Sequence, residues 1–192
     1  KQATAQLELK VALGAGSAIC MHVGGVFGRW ELLIGGQPFL QVGRAGDHAK
    51  PGDVVISKEA RALLGGVGDG EPLDDGTAYL TSLPNEIPSV ALQTPPLTPQ
   101  HTEQLLPYIP AAIREQLGVG KSGWHAELRR VSVLFVNLPG VTHTTPIEQA
   151  QRLMYELQTT IYRYEGSVNK LSVDDKGVTL IAVMGLPPFA HE

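Results

Sequence analysis

Seven of the fourteen prolines in this 192-residue chain fall between Pro84 and Pro110, and they limit the fold more than any other feature. Proline fixes φ and removes a backbone donor. A stretch holding Pro84, Pro88, Pro95, Pro96, Pro99, Pro107 and Pro110 therefore excludes a long helix or a central strand. Turn material precedes it, in Gly65-Gly66-Val67-Gly68-Asp69-Gly70 and Asp74-Asp75-Gly76. The chain is expected to hold one folded piece over 1–64, a proline-rich connector over 65–127 and a second folded piece over 128–192. Within the connector, 111–117 reads as a short helix ending at Gly118, with Leu105, Leu106, Tyr108 and Ile109 as apolar anchors before it.

Hydrophobic residues make up 43% of the chain and charged residues 18%, enough apolar material for a core, which excludes wholesale disorder. A net charge of −4 argues against a nucleic-acid partner, because phosphate binding leaves a basic footprint. No apolar run is long enough to cross a bilayer, so no membrane partner is expected. No charged-then-apolar leader is visible, and a start without Met suggests a piece of a longer chain. One cysteine, Cys20, cannot close an internal disulfide, which points to the cytoplasm.

The second piece opens with Val131–Leu138, β-branched and almost continuously apolar, the pattern of a strand covered on both faces. Pro139-Gly140 ends it. A helix is predicted next, with Thr145 as N-cap, Pro146 at the first helical position and Glu148 three residues after the cap. Ile147, Ala150, Met154, Leu157, Ile161 and Tyr164 form one apolar stripe along it, and Gly166 closes it. Two strands, Val168–Val173 and Val178–Met184, flank the hairpin turn Asp174-Asp175-Lys176-Gly177. In the first piece, strands are expected over Leu7–Leu13, Ile19–Val23, Trp30–Ile34 and Val54–Ile56, with a short helix over Gln37–Ala49 weakened by Pro38, Gly43 and Gly46. Strands alternating with helices favour an α/β or α+β sandwich.

Most chemical motifs fail on inspection. Gly118-Val119-Gly120-Lys121-Ser122 resembles a phosphate loop, but the position needing glycine is Glu115 and no strand precedes it. Gly66-Val67-Gly68-Asp69-Gly70 lacks the strand–turn–helix setting of a dinucleotide loop. The six histidines are scattered without ligand spacing, which argues against zinc. No G-x-S-x-G elbow is present. Cys20 reads as a small buried strand residue. Asp174 and Asp175 could hold a divalent cation, although turn chemistry alone selects Asp near Gly. Lys170 interrupts an apolar strand, either as an edge or snorkelling lysine or as a functional one. Arg44 reads by default as a solvated surface residue.

Taken in order, these segments resemble class III adenylyl cyclase catalytic domains. Val131–Thr142 is similar to that family's first strand and turn, and Gly166–Gly177 running on to Gly185 to its central hairpin. Leu9–Gly16, Leu33–Gly35 and Lys50–Ser57 resemble the later half of the same domain. The end of one domain thus precedes the beginning of another, as in proteins with tandem catalytic domains. The Asn137 strand and the 174–177 hairpin look closest to the second half of the bicarbonate-responsive soluble type and its bacterial relatives. The resemblance implies an α+β fold with a ferredoxin-like cyclase core, in which Leu7–Leu13 pairs with Val131–Leu138 within one chain or across a swapped homodimer.

The family converts ATP to cyclic AMP and pyrophosphate with two Mg2+ or Mn2+ ions held by two aspartates. Asn137 occupies the first aspartate position as a neutral amide, so no metal is expected in this piece, and Asp174 stands at the second. Lys170 takes the place of the lysine that recognises adenine. Arg44 falls at the position of the transition-state arginine and Leu40 at that of its companion asparagine, which implies a degenerate site where Arg44 contacts an anion. The implied partners are ATP and the missing halves of the parent chain. A non-catalytic regulatory or dimerisation module on the same fold is the alternative.

Overall fold

The computed structural model describes residues 7–66, 69–84, 90–111, 113–114, 130–174 and 176–186. Helices and strands are mixed, giving an α+β protein. The chain divides into two compact units, one of Lys1–Ile19, Gly35–Leu92 and Asp174–Lys176, the other of Cys20–Ile34, Gln93–Val173 and Gly177–Glu192.

In the first unit, β1 (Val11–Leu13) pairs in parallel with β4 (Val54–Ile56) through the helix α1 (Gln37–His48). Parallel neighbours require such a crossover. Ala45 and Ala49 pack on Val55, with Ala12 and Tyr79 beside them. Helix α2 (Lys58–Leu64) is capped by Ser57, whose hydroxyl accepts from the Ala60 amide at 3.0 Å. The hairpin of β5 (Asp69–Pro72) and β6 (Ala78–Ser82) completes the sheet in the order β1-β4-β6-β5. Ordered strands therefore stand inside the stretch read as a connector, and Pro72 sits at the end of an edge strand where its missing donor is harmless.

In the second unit, β2 (Ala18–Gly24) and β3 (Trp30–Gly36) form a two-stranded hairpin. Its tight connection holds Phe27 at φ 52. The proline-rich stretch contributes α3 (Pro99–Leu105), capped by Thr98, and a 3-10 turn at Leu106–Tyr108. Then follow β7 (Ser132–Leu138), the long helix α4 (Ile147–Arg163), β8 (Gly166–Asp174) and β9 (Gly177–Met184). The sheet order is β7-β9-β8, with β9 antiparallel to β7 from Ser132↔Met184 to Leu138↔Val178. One core joins Met21, Val23 and Leu33 of the hairpin, Ala150, Met154 and Ile161 of α4, and the inner residues of β8 and β9.

Several expectations need correction. The strand predicted over Leu7–Leu13 is only Val11–Leu13, and it pairs with β4, whereas β7 pairs with β9. Strand pairing is non-local, and the parallel crossover through α1 offers β1 a nearer partner. Strand β7 is not covered on both faces. Among the described residues it is a sheet edge, with Val133, Leu134 and Phe135 exposed.

Thr145 does not cap α4. Its hydroxyl accepts from the Thr142 amide at 2.8 Å and closes the preceding turn, and Pro146 holds the cap position. Glu165 at φ 57, rather than Gly166, turns the chain out of the helix. Gly166 is small for another reason, since a Cβ there would meet Ile161 Cγ2 at 2.8 Å. Ile147 and Tyr164 lie exposed, outside the buried part of the stripe. Cys20 is exposed on β2, not buried.

Candidate functional site

The residues singled out by sequence occupy three surfaces. Lys170 is exposed on β8, the other edge of the three-stranded sheet. Val168 is buried while Leu171 and Val173 pack on the same core, so the in–out alternation of β8 slips by one at Asn169–Lys170. Both residues of the slip face solvent. Asn137 is exposed on β7 opposite Thr179, so β9 stands between its strand and that of Lys170. Arg44 is exposed on α1 in the first unit, with Leu40 half-buried on the same helix.

Asp174 serves its own turn. One carboxylate oxygen accepts from the Lys176 amide at 2.9 Å, the local bond that makes aspartate a turn former. Asp175 lies outside the described residues, as does the 118–122 motif. An amide at 137 and a carboxylate already engaged at 174 do not fit a pair of divalent cations, which require several charged oxygens close together. Among the described residues no group of three or more His, Cys, Asp or Glu side chains is placed to hold a metal, and no helix is long and apolar enough to cross a membrane.

Sequence reasoning missed a buried polar cluster between hairpin β2–β3 and α4. Gln158 is fully buried in the middle of the apolar stripe. Its oxygen accepts from the Val26 amide at 3.1 Å, and its nitrogen donates to the Arg29 carbonyl at 3.1 Å. Gly24 makes room for it, since a Cβ there would lie 2.6 Å from the Gln158 amide. Two turns earlier, Gln151 exchanges two bonds of 2.8 Å with the Gly24 backbone.

Arg29 and Glu31 form an ion pair at 3.0 Å, both more than nine-tenths buried. Arg29 also donates to the carbonyls of Trp30 at 2.7 Å and Pro107 at 3.0 Å, which ties the 106–108 turn to the hairpin. The His22 ring and the Tyr108 hydroxyl make a second tie. The ion pair uses one oxygen only, and Glu31 Oε1 and Arg29 Nε have no partner among the described residues. Burial pushes the Glu31 carboxyl up from 4.5 to about 7, against the opposing pull of Arg29 and a hydrogen bond from Gln158. Tyr162 on α4 is pushed up to about 12 by burial and by the charge of Glu31, with Arg29 and Arg114 opposing. A glutamine at the centre of a helical apolar stripe was the visible signal for this cluster.

The first unit carries a surface pair. His48 Nε2 lies 2.8 Å from Asp75, whose other oxygen accepts from the Thr77 hydroxyl at 2.6 Å and the Thr77 amide at 3.0 Å. These Thr77 bonds, then the one from His48, hold the Asp75 carboxyl down at about 2. The pair joins the end of α1 to the β5–β6 turn, a favourable place for a basic side chain at a helix C-terminus.

No protein-family model matches the chain, and no curated protein matches its sequence.

Proposed function

We propose that this chain is a piece of a class III adenylyl cyclase with tandem catalytic domains, on a ferredoxin-like cyclase core, and that it acts in the cytoplasm. The supporting observation is the chain order β7–α4–β8–β9 arranged in space as β7-β9-β8, the order that one half of a ferredoxin-like sheet would have, with Lys170 exposed on β8. Lys170 is the donor offered to the N1 acceptor of adenine. Arg44 is the contact for an anion in the degenerate site of the first half. The parent chain supplies the metal-binding carboxylates, for Mg2+ or Mn2+, from the halves absent here. Partners on this reading are ATP, those halves, and a second copy that exchanges halves with the first.

A second reading, a regulatory or dimerisation module without catalysis, is favoured by the amide at Asn137 and the apolar Leu40. The two separate in one experiment. The purified chain, given ATP and Mg2+, is expected to make no cyclic AMP, and the longer parent protein is expected to make it. Turnover by the chain alone, abolished in Lys170→Ala, would overturn the division of labour. A parent that neither binds nor converts ATP would favour the module.

A further inference from the structure

The Arg29–Glu31 pair is an incomplete one. A guanidinium normally meets a buried carboxylate through two parallel bonds. Here a single contact at 3.0 Å is made, and the second nitrogen and second oxygen that could have matched meet no partner among the described residues. Removing two charges from water is costly, and a one-point contact returns little of that cost. Arg29 keeps its hydrogen bonds to the Trp30 and Pro107 carbonyls whether or not Glu31 is charged, so a proton on Glu31 removes one of the two buried charges, and burial raises its carboxyl to about 7.

The same residues hold the unit together. Arg29 grips the Pro107 carbonyl, its own carbonyl receives Gln158, and Glu31 lies two residues further along, on β3. We propose that Glu31 is a proton-linked latch: hairpin β2–β3 and the Leu106–Tyr108 turn stay docked on α4 while Glu31 is neutral, and loosen as it ionises. Two ionisable groups act on it directly, Arg29 and Tyr162, and three more belong to the elements packed there. Arg29 comes from the hairpin itself, Tyr162 from α4, Arg114 from the segment after the turn, and the His22–Tyr108 pair bridges hairpin and turn. Tyr162, at about 12, stays neutral through the working range. The inference does not depend on the cyclase reading.

Hydrogen exchange of the intact chain, corrected for the intrinsic pH dependence of amide exchange, tests it. A docked state that binds the proton near pH 7 and an open state that binds it near 4.5 give about a tenfold rise in local opening between about pH 6 and about pH 8.5. That rise is expected for amides of β2, β3 and the 102–109 segment, with β9 unchanged. Glu31→Gln, neutral at every pH, is expected to show a flat profile at the protected level. Protection independent of pH in the natural chain overturns the latch whether or not the variant folds. So does a Glu31→Gln protein that keeps the response, or a parallel loss of protection in β9.

Discussion

Gln151 pairs with the backbone of Gly24 as a neighbouring strand would, giving and receiving bonds of 2.8 Å. Two turns of α4 thus treat the end of β2 as a ladder partner, because Gln158 does the same for Val26 and Arg29. A backbone group buried without a partner costs free energy comparable to a lost hydrogen bond. These two glutamines satisfy backbone groups at the turn end of a two-stranded hairpin.

Replacing Gln158 with Leu keeps the volume and removes both partners. The Val26 N–H is then stranded while the Arg29 carbonyl keeps only its 2.8 Å bond from the Gly25 amide, and a loss of about 1–3 kcal/mol is expected in chemical denaturation. Gln151→Ala, at a half-buried site, is expected to cost about 1 kcal/mol. Equal effects of the two would contradict the difference in burial.

Gly24→Ala tests the close approach directly. The new methyl would stand 2.6 Å from Gln158 at a residue with φ 105. Strain and lost bonds together are expected to destabilise the chain by about 2 kcal/mol or more. In a Gln158→Ala background the penalty should shrink, as a double-mutant cycle would show.

Stability should respond to pH with two opposite slopes. Glu31 keeps a proton in the folded chain that the unfolded chain has released, so stability declines as pH rises from about 4.5 through about 7, by on the order of 3 kcal/mol at full ionisation. Asp75 is depressed to about 2, so its contribution is complete above about 3.8 and disappears as pH falls through about 2. Melting temperatures across this range should show Glu31→Gln flattening the neutral limb and Asp75→Asn the acid limb. A neutral decline that persists in Glu31→Gln would assign it to another group.

The edge of β7, unpaired among the described residues, carries its own expectation. Its exposed Val133, Leu134 and Phe135 include no charge, and undefended edges pair with other chains. Phe135→Lys is expected to lower self-association, measured by sedimentation, with melting shifted by little. Unchanged association would show that this edge is not the contact.

Local elements were legible where periodicity spoke. The stripe of Ala150, Met154 and Ile161 located α4, and the turn residues at 174–177 located the last hairpin. Burial was less so. Val131–Leu138 has the same apolar run whether a strand is central or at an edge, and only the pairing of β1 with β4 distinguishes the two. Pro72 and the surrounding glycines concealed β5 and β6 behind turn composition. Glu31 and Gln158 were hidden because polarity alone assigns such residues to the surface, and the contact that buries both joins positions more than a hundred residues apart. Lys170 was visible as a break in an apolar strand, and the slip in alternation at that point explains how the strand accommodates it.

The cyclase reading rests most directly on Lys170. Steady-state cyclic AMP formation by the longer parent protein, compared with its Lys170→Ala variant, is the measurement. A lost base contact should reduce kcat/KM for ATP by about tenfold to a hundredfold and weaken the preference for ATP over GTP. Unchanged kcat/KM and unchanged preference would contradict the assignment of adenine recognition to Lys170.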